Sequence, residues 1–255
     1  MDYSSGSIWR RWDFHFHTPS SFDYHNFAVT NQQLVDGLRK EHVSVVVVTD
    51  HFKLDANRIK SMQDLAEDDL VVLPGIELRT NQGAKECLHI VGIFPETLDY
   101  DDLWHHLSGK LDLTDSDIKD CGGPESKYVD FLTAIEEIHD LGGLVSVHAG
   151  SKSNGIEGIP NKPRFREFFK EEMLRKHVDI LDVGKPIDKA DYDDIVFPDV
   201  HRTLPIVLGS DCHDIGKYHD CAKPCWIKAD VTFEGLRQVL RMPEDRVCLE
   251  TDPAS

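Results

Sequence analysis

The sequence predicts an α/β barrel, and three observations carry that expectation. Strand-like apolar runs alternate with helix-length segments, the pattern of βα units around a parallel sheet or barrel. One of the runs, Val45-Val46-Val47-Val48, is purely apolar and suits a strand buried on both faces. Several strands are followed at once by His, Asp or Glu, and side chains at the C-terminal ends of barrel strands point into one mouth.

The first strand is read at Asp13-Phe14-His15-Phe16-His17-Thr18, where apolar Trp12, Phe14 and Phe16 alternate with Asp13, His15 and His17. Period-two alternation puts both imidazoles on one face. His-x-His alone is a weak metal motif, because any half-buried strand gathers its polar residues on one side. Helices are expected at Asn31 to Lys40, Leu54 to Ala66, Tyr100 to Leu107, Tyr128 to Leu141, Pro163 to Lys176 and Phe233 to Arg241. Gly142-Gly143 closes the fourth of these. The remaining strands are expected at Val71 to Ile76, Leu88 to Ile93, Leu144 to Val147, Asp179 to Val183 and Pro205 to Leu208. The polar stretch 108–126, ending in Cys121-Gly122-Gly123-Pro124, reads as an excursion on the barrel surface.

A chain of 255 residues with 40% hydrophobic composition buries a sizeable core, and residues 1–255 read as one domain without an internal repeat. No apolar run is long enough to cross a bilayer, and the start of the chain lacks a secretory hydrophobic region, so a cytoplasmic protein with no membrane partner is expected. The six cysteines are then reduced thiols. Cys212, Cys221 and Cys225 lie close in sequence, but their spacing matches no standard zinc ribbon. A net charge of −18 repels the nucleic-acid backbone and argues against a protein that coats duplex. Cations bound in an acidic cleft would reverse that field locally, so a metal-dependent phosphoesterase stays open.

The strand ends carry the chemistry. After the valine run comes Thr49-Asp50-His51; after Val71-Val72-Leu73 comes Pro74-Gly75-Ile76-Glu77; the next strand opens with His89. Val145-Ser146-Val147 ends in His148, and Ile206-Val207-Leu208 ends in Gly209-Ser210-Asp211-Cys212-His213. One such residue is an ordinary polar strand end; ligand types on five strands are not coincidence. Imidazole and carboxylate donors without thiolate suit zinc, manganese or ferrous iron.

This ordered set resembles the PHP family, the polymerase and histidinol phosphatase metallo-phosphoesterases, over nearly the whole chain. The resemblance implies a distorted (βα)7 TIM-like barrel with its metal site at the C-terminal ends of the strands, holding two or three divalent ions. It implies that His15 and His17 bind a first metal with Glu77 and Asp211, and that Glu77 bridges to a second held by His89 and His148. A third would be held by His51 and His213 with a residue shortly after His-x-His, either Asp23 or His25. His148 is followed by Ala149-Gly150 where the family often has proline. His15, His17, Glu77, Asp211 and His213 are the residues expected to carry catalysis, with a metal-activated hydroxide attacking phosphorus. The resemblance also extends to PHP domains fused to ATPase modules, which implies an ATPase-type partner module and favours nucleic-acid ends, single-stranded nucleic acid or nucleotides as substrate. The chain itself has no phosphate-binding Gly-x-x-x-x-Gly-Lys-Ser/Thr loop. Two other readings stand beside this one: a phosphomonoesterase of histidinol-phosphate type, and an inactive metal-binding PHP module serving as an interaction domain.

Substrate contacts are expected from the loop after His148, where Ser151, Lys152 and Asn154 offer a hydroxyl, an ammonium and an amide to phosphate, or else form a flexible Gly/Ser loop. Lys185 and Arg202 are further candidates from neighbouring loops. The basic, aromatic stretch from Lys162 to Lys176 reads first as an amphipathic helix and second as a surface for single strands.

Overall fold

The computed structural model describes residues 8–83, 87–114, 127–152, 154–159, 171–250 and 253. Its strands are β1 (Trp9–Phe16), β2 (Val43–Val48), β3 (Val71–Gly83), β4 (Cys87–Ile93), β5 (Leu144–Ala149), β6 (Ile180–Val183), β7 (Ile206–Val207), β8 (Trp226–Lys228) and β9 (Val247–Cys248). The longer helices are α1 (Asn31–Lys40), α2 (Ala56–Ala66), α3 (Tyr100–Lys110), α4 (Phe131–Asp140) and α5 (Phe233–Val239). The strands form one sheet in the order β7-β6-β5-β4-β3-β2-β1-β8-β9.

The sheet curls into a nearly closed barrel, and β1 explains the distortion. Its N-terminal half, Trp9 to Arg11, pairs antiparallel with β8. Its C-terminal half is met instead by the residues after β7: the Asp211 N–H donates to the His15 carbonyl at 2.8 Å, and the His17 N–H to the Cys212 carbonyl at 3.3 Å. One edge is thus shared by two partners, which close the barrel at the mouth and splay it at the floor.

Chemistry along the strands follows burial. Trp12, Phe14 and Phe16 are buried on one face of β1 while His15 and His17 are buried on the other. The consecutive valines Val45 to Val48 of β2 are 0 to 1% exposed, as both-face coverage requires. β3 and β4 run antiparallel, as do β4 and β5, whereas β1-β2, β2-β3, β5-β6 and β6-β7 are parallel. The reversal of β4 accounts for His89, which opens its strand rather than ending it: the N-terminal end of a reversed strand lies at the same mouth as its neighbours' C-terminal ends.

Element boundaries are set by caps. Thr30 and Gln33 form a reciprocal capping box that starts α1, and Leu34, Val35 and Leu38 bury its inner face. α2 begins at Ala56 rather than Leu54 because Asp55 takes the Arg58 N–H. α4 begins at Phe131 rather than Tyr128 because Asp130 caps it and Val129 instead pairs with Thr80 of β3. α3 runs through Ser108 to Lys110, so the expected surface excursion starts later than Ser108; residues 115–126 lie outside the described residues, as do 163–170 of the expected basic helix. Among the described residues, no helix is long and apolar enough to cross a membrane.

Gly209 sits where the chain after β7 crosses β1. A Cβ there would collide with the Cβ of His15 and approach its backbone nitrogen at 2.8 Å, and the Gly209 N–H is needed by Asp182 at 3.1 Å. Gly209→Ala is expected to destabilise the protein by about 1–3 kcal/mol, the usual cost of overpacking, read as a lower denaturant midpoint. An unchanged midpoint would show that the barrel seam gives way freely.

Candidate metal centre

Glu77 is the hub of the mouth. Strand alternation on β3 turns its side chain inward, where it is 1% exposed. Its Oε2 lies 3.0 Å from His15 Nε2, 3.3 Å from His17 Nε2 and 3.1 Å from His51 Nδ1. Its Oε1 lies 2.6 Å from His89 Nδ1 and 3.7 Å from His148 Nε2. One carboxylate therefore touches five imidazoles brought by β1 and the residue after it, β4, β5 and the third residue after β2.

Three overlapping donor groups surround it. In the first, His15 Nε2 and His17 Nε2 face each other at 3.0 Å, and each is 3.4 Å from Asp211 Oδ1. Ligand atoms about 2.1 Å from one ion in a tetrahedral shell are about 3.4 Å apart, so the spacing of these nitrogens and oxygens is that of a ligand shell. In the second, His15, Glu77 and His148 converge, with His89 hydrogen-bonded to the other Glu77 oxygen. In the third, His213 Nε2 and His51 Nε2 stand 3.1 and 3.3 Å from Asp23 Oδ2. Asp23 Oδ1 and His213 Nε2 are nonetheless buried atoms without a hydrogen-bond partner, so the two side chains point at shared space instead of bonding each other. The His17, His51 and His213 rings pack face to face, with His17 and His213 centroids 3.9 Å apart. These observations fit divalent cations. His25 has an exposed side chain and meets the group only through its N–H, which donates to the His213 carbonyl at 2.9 Å.

Electrostatics agree with a cation site. Burial pushes Glu77 and Asp211 up, but His51 and His15 hold Glu77, and His15, His17 and Lys152 hold Asp211, well below the usual carboxylate range. Burial opposes charge on His15 and His17, yet the neighbouring carboxylates Asp211 and Glu77 win, raising them to about 10 and about 9. For His148, burial and the Lys152 ammonium dominate and lower it well below the ordinary imidazole value. In the absence of metal, protons stand where cations belong.

Asp182 belongs to this machinery although the sequence reading passed over it. It lies one residue from the end of β6, in register with His148 on β5. Its Oδ2 is 3.2 Å from His15 Nδ1, so it orients the ring whose Nε2 faces the cluster. Lys152 Nζ is 2.5 Å from the same oxygen, 3.5 Å from His148 Nε2 and 4.0 Å from Asp211. A carboxylate just before a strand end was the available signal. Arg79, two residues past Glu77 on the same strand face, was also missed and lines the mouth, a cavity of about 270 Å³ that includes Asp23, Lys152 and Asn154.

The expected substrate residues separate. Lys152 and Asn154 are at the mouth, the latter with its Nδ2 3.2 Å from His89 Nε2. Ser151 is turned to Asp188, donating its hydroxyl at 2.8 Å, and the Lys185 N–H donates to the same carboxylate at 2.9 Å while its side chain is exposed. These two shape the loop and do not face the cluster. Arg202 is a correction: it donates to the Leu174 and Arg175 carbonyls and lies 3.9 Å from Asp179, which precedes β6, at the end of the strand opposite Asp182. Loops adjacent in sequence had placed it near the mouth; the helical connections of the barrel carry it to the floor. Among the described residues, no candidate metal group includes a cysteine.

No protein-family model and no curated protein sequence matches the chain. Solved structures do. A protein described as a metal-dependent phosphoesterase from Bifidobacterium adolescentis superposes with a TM-score of 0.53 at 16% identity, covering 82% of this chain and 89% of its own. A two-domain protein from Bacteroides vulgatus, containing a predicted PHP-like metal-dependent phosphoesterase, gives 0.61 at 16%, covering 95% of this chain and 64% of its own. An amidohydrolase from Chromobacterium violaceum gives 0.56 at 14%, covering 96% and 100%. The chain has the barrel fold of these phosphoesterase and amidohydrolase structures, and it shares that fold over most of both chains with the first and third of them.

Proposed function

We propose that the protein is a metal-dependent phosphoesterase acting on nucleic-acid ends or nucleotides, with zinc, manganese or iron as its ions. The observation that carries the reading is the convergence of Asp23, Glu77, Asp211 and six histidines on one polar mouth. His15, His17, Asp211 and Glu77 would hold one ion; Glu77, His89 and His148 a second; Asp23, His51 and His213 a third. When bound, such ions supply Lewis-acid charge to the phosphoryl oxygens and bring water toward its ionised form near neutral pH.

The chain's own groups prepare that chemistry. Asp182 fixes the His15 ring through Nδ1, and Lys152 keeps Asp182 ionised by its proximity. Without cations, the charges of Asp23, Glu77, Asp182 and Asp211 are offset by Lys152, Arg79 and the protons held on the His15–His17 pair, which leaves no net positive charge for phosphate, so substrate affinity depends on metal loading. Arg79 and Lys152 both line the mouth with Glu77 and supply fixed positive charge for non-bridging oxygens. Cys87, Cys212, Cys221, Cys225 and Cys248 are free thiols, which fits a reducing, cytoplasmic setting.

The test is to measure bound metals in the purified protein and then assay a small phosphomonoester beside 5′-labelled single-stranded DNA and RNA with added manganese. Release of nucleotides or shortened strands is expected. Cleavage of the small monoester alone would overturn the nucleic-acid preference in favour of a histidinol-phosphate-type enzyme, and full metal occupancy without any turnover would favour an interaction module.

A further inference from the structure

β3 extends well beyond the barrel wall, and its inward face repeats every second residue: Glu77, Arg79, Asn81. Glu77 lies in the cluster. Asn81, at the outer end, takes the Phe131 N–H at 3.2 Å and donates to Asp130 at 3.1 Å, fastening the start of α4. Arg79 stands between them, directly opposite His89 across the β3-β4 pair, with its Nε 3.5 Å from His89 Nε2. Its guanidinium carbon is 5.9 Å from the centre of the Tyr128 ring.

Tyr128 is placed by main-chain pairing rather than by burial of its ring. The adjacent Val129 donates to the Arg79 carbonyl at 3.0 Å and accepts from the Asn81 N–H at 2.9 Å, while the Tyr128 side chain remains 45% exposed. A cation that lines the mouth is therefore backed by a partly exposed aromatic ring at the rim. Guanidinium groups bind phosphate oxygens, and fixed aromatic faces stack flat bases. Arg79 lies roughly 7 Å further along the strand than Glu77, a reach that a sugar between phosphate and base covers.

We propose that Arg79 and Tyr128 form a rim subsite that selects phosphate esters whose alcohol carries a flat aromatic group, a nucleoside being the fitting class. This deepens the phosphoesterase reading and rests on it for the position of the phosphate. Arg79 takes a phosphate oxygen that the metal ligands leave outward, and Tyr128 stacks the base outside it.

Binding, which needs no turnover, tests the subsite separately from the reaction. Calorimetry would compare adenosine 5′-monophosphate with glycerol phosphate on manganese-loaded wild type, Tyr128→Ala, Tyr128→Phe and Arg79→Gln. Wild type is expected to prefer the nucleotide, Tyr128→Ala to lose about tenfold of that preference, Tyr128→Phe to keep it, and Arg79→Gln to weaken both ligands. Equal affinity of wild type for the two ligands, or a Tyr128→Ala variant that keeps the full preference, overturns the subsite. A protein that shows the preference but cleaves neither ligand, nor single-stranded DNA or RNA, would retain the subsite and defeat the phosphoesterase reading.

Discussion

Glu77→Gln is expected to lower metal-dependent hydrolysis by about a thousandfold or more, since several kcal/mol of transition-state stabilisation depend on the ions that this carboxylate holds together. The amide keeps the shape of the side chain but offers one neutral oxygen where five imidazoles now meet two anionic ones. Metal analysis should show the loss directly, with the His89 and His148 position emptied first because its carboxylate ligand is Glu77 alone. Metal-free protein should suffer too. Breaking a buried charged pair costs about 3–5 kcal/mol, so the variant's metal-free form should unfold at lower denaturant than metal-free wild type. A Glu77→Gln protein with full metal content and wild-type rates would remove Glu77 from the centre.

Metal uptake should expel protons, and its pH dependence has a defined sign. In the metal-free fold His15 and His17 titrate at about 10 and about 9, above the ordinary imidazole value of 6.5. Their protonated forms stabilise the metal-free fold fully below pH 6.5, and that contribution is lost as pH rises through 9 to 10. Ligation needs both rings neutral, and the two Nε2 atoms 3.0 Å apart hold a proton between them, so between these limits an ion entering the first group displaces at least that proton. Apparent affinity is expected to climb by about tenfold per pH unit from pH 7 to 8.5. His51 and His148 are already shifted toward the neutral form and add nothing to this slope. Competition against a chromogenic chelator measures the slope, and calorimetry in two buffers of different ionisation heat counts the protons. An affinity independent of pH would show that the two imidazoles are neutral before metal arrives.

The convergence of the candidate ligands was legible in the sequence because strand ends and period-two alternation are local signals. His15, His17, His51, Glu77, His148, Asp211 and His213 each follow or alternate with apolar strand residues, and barrel geometry does the rest. His89 needed the reversal of β4, which no propensity encodes. Asp182 was passed over because a lone carboxylate within a short strand looks like any polar strand residue; only its pairing with His15 and Lys152, far apart in the chain, reveals its work. Arg79 was missed for a different reason. β3 was expected to stop at Ile76, whereas pairing with β4 and Val129 carries it to Gly83. Arg202 failed in the opposite sense, since nearness in sequence to the last strand says nothing about which end of the barrel a loop reaches.

The seam between β1 and the residues after β7 gives the centre a place in the order of synthesis. The bonds that close it join Asp13 to Ser210 and His15 to Ser210, across 197 and 195 residues. The first pair of imidazoles leaves the ribosome early and waits for almost the whole barrel before Asp211 and His213 arrive. Closing so long a loop is slow and comes late in folding. Metal captured by all its ligands is thus a mark of completed folding, and a nascent chain that ends before Asp211 holds the opening histidines without the partners that finish their site.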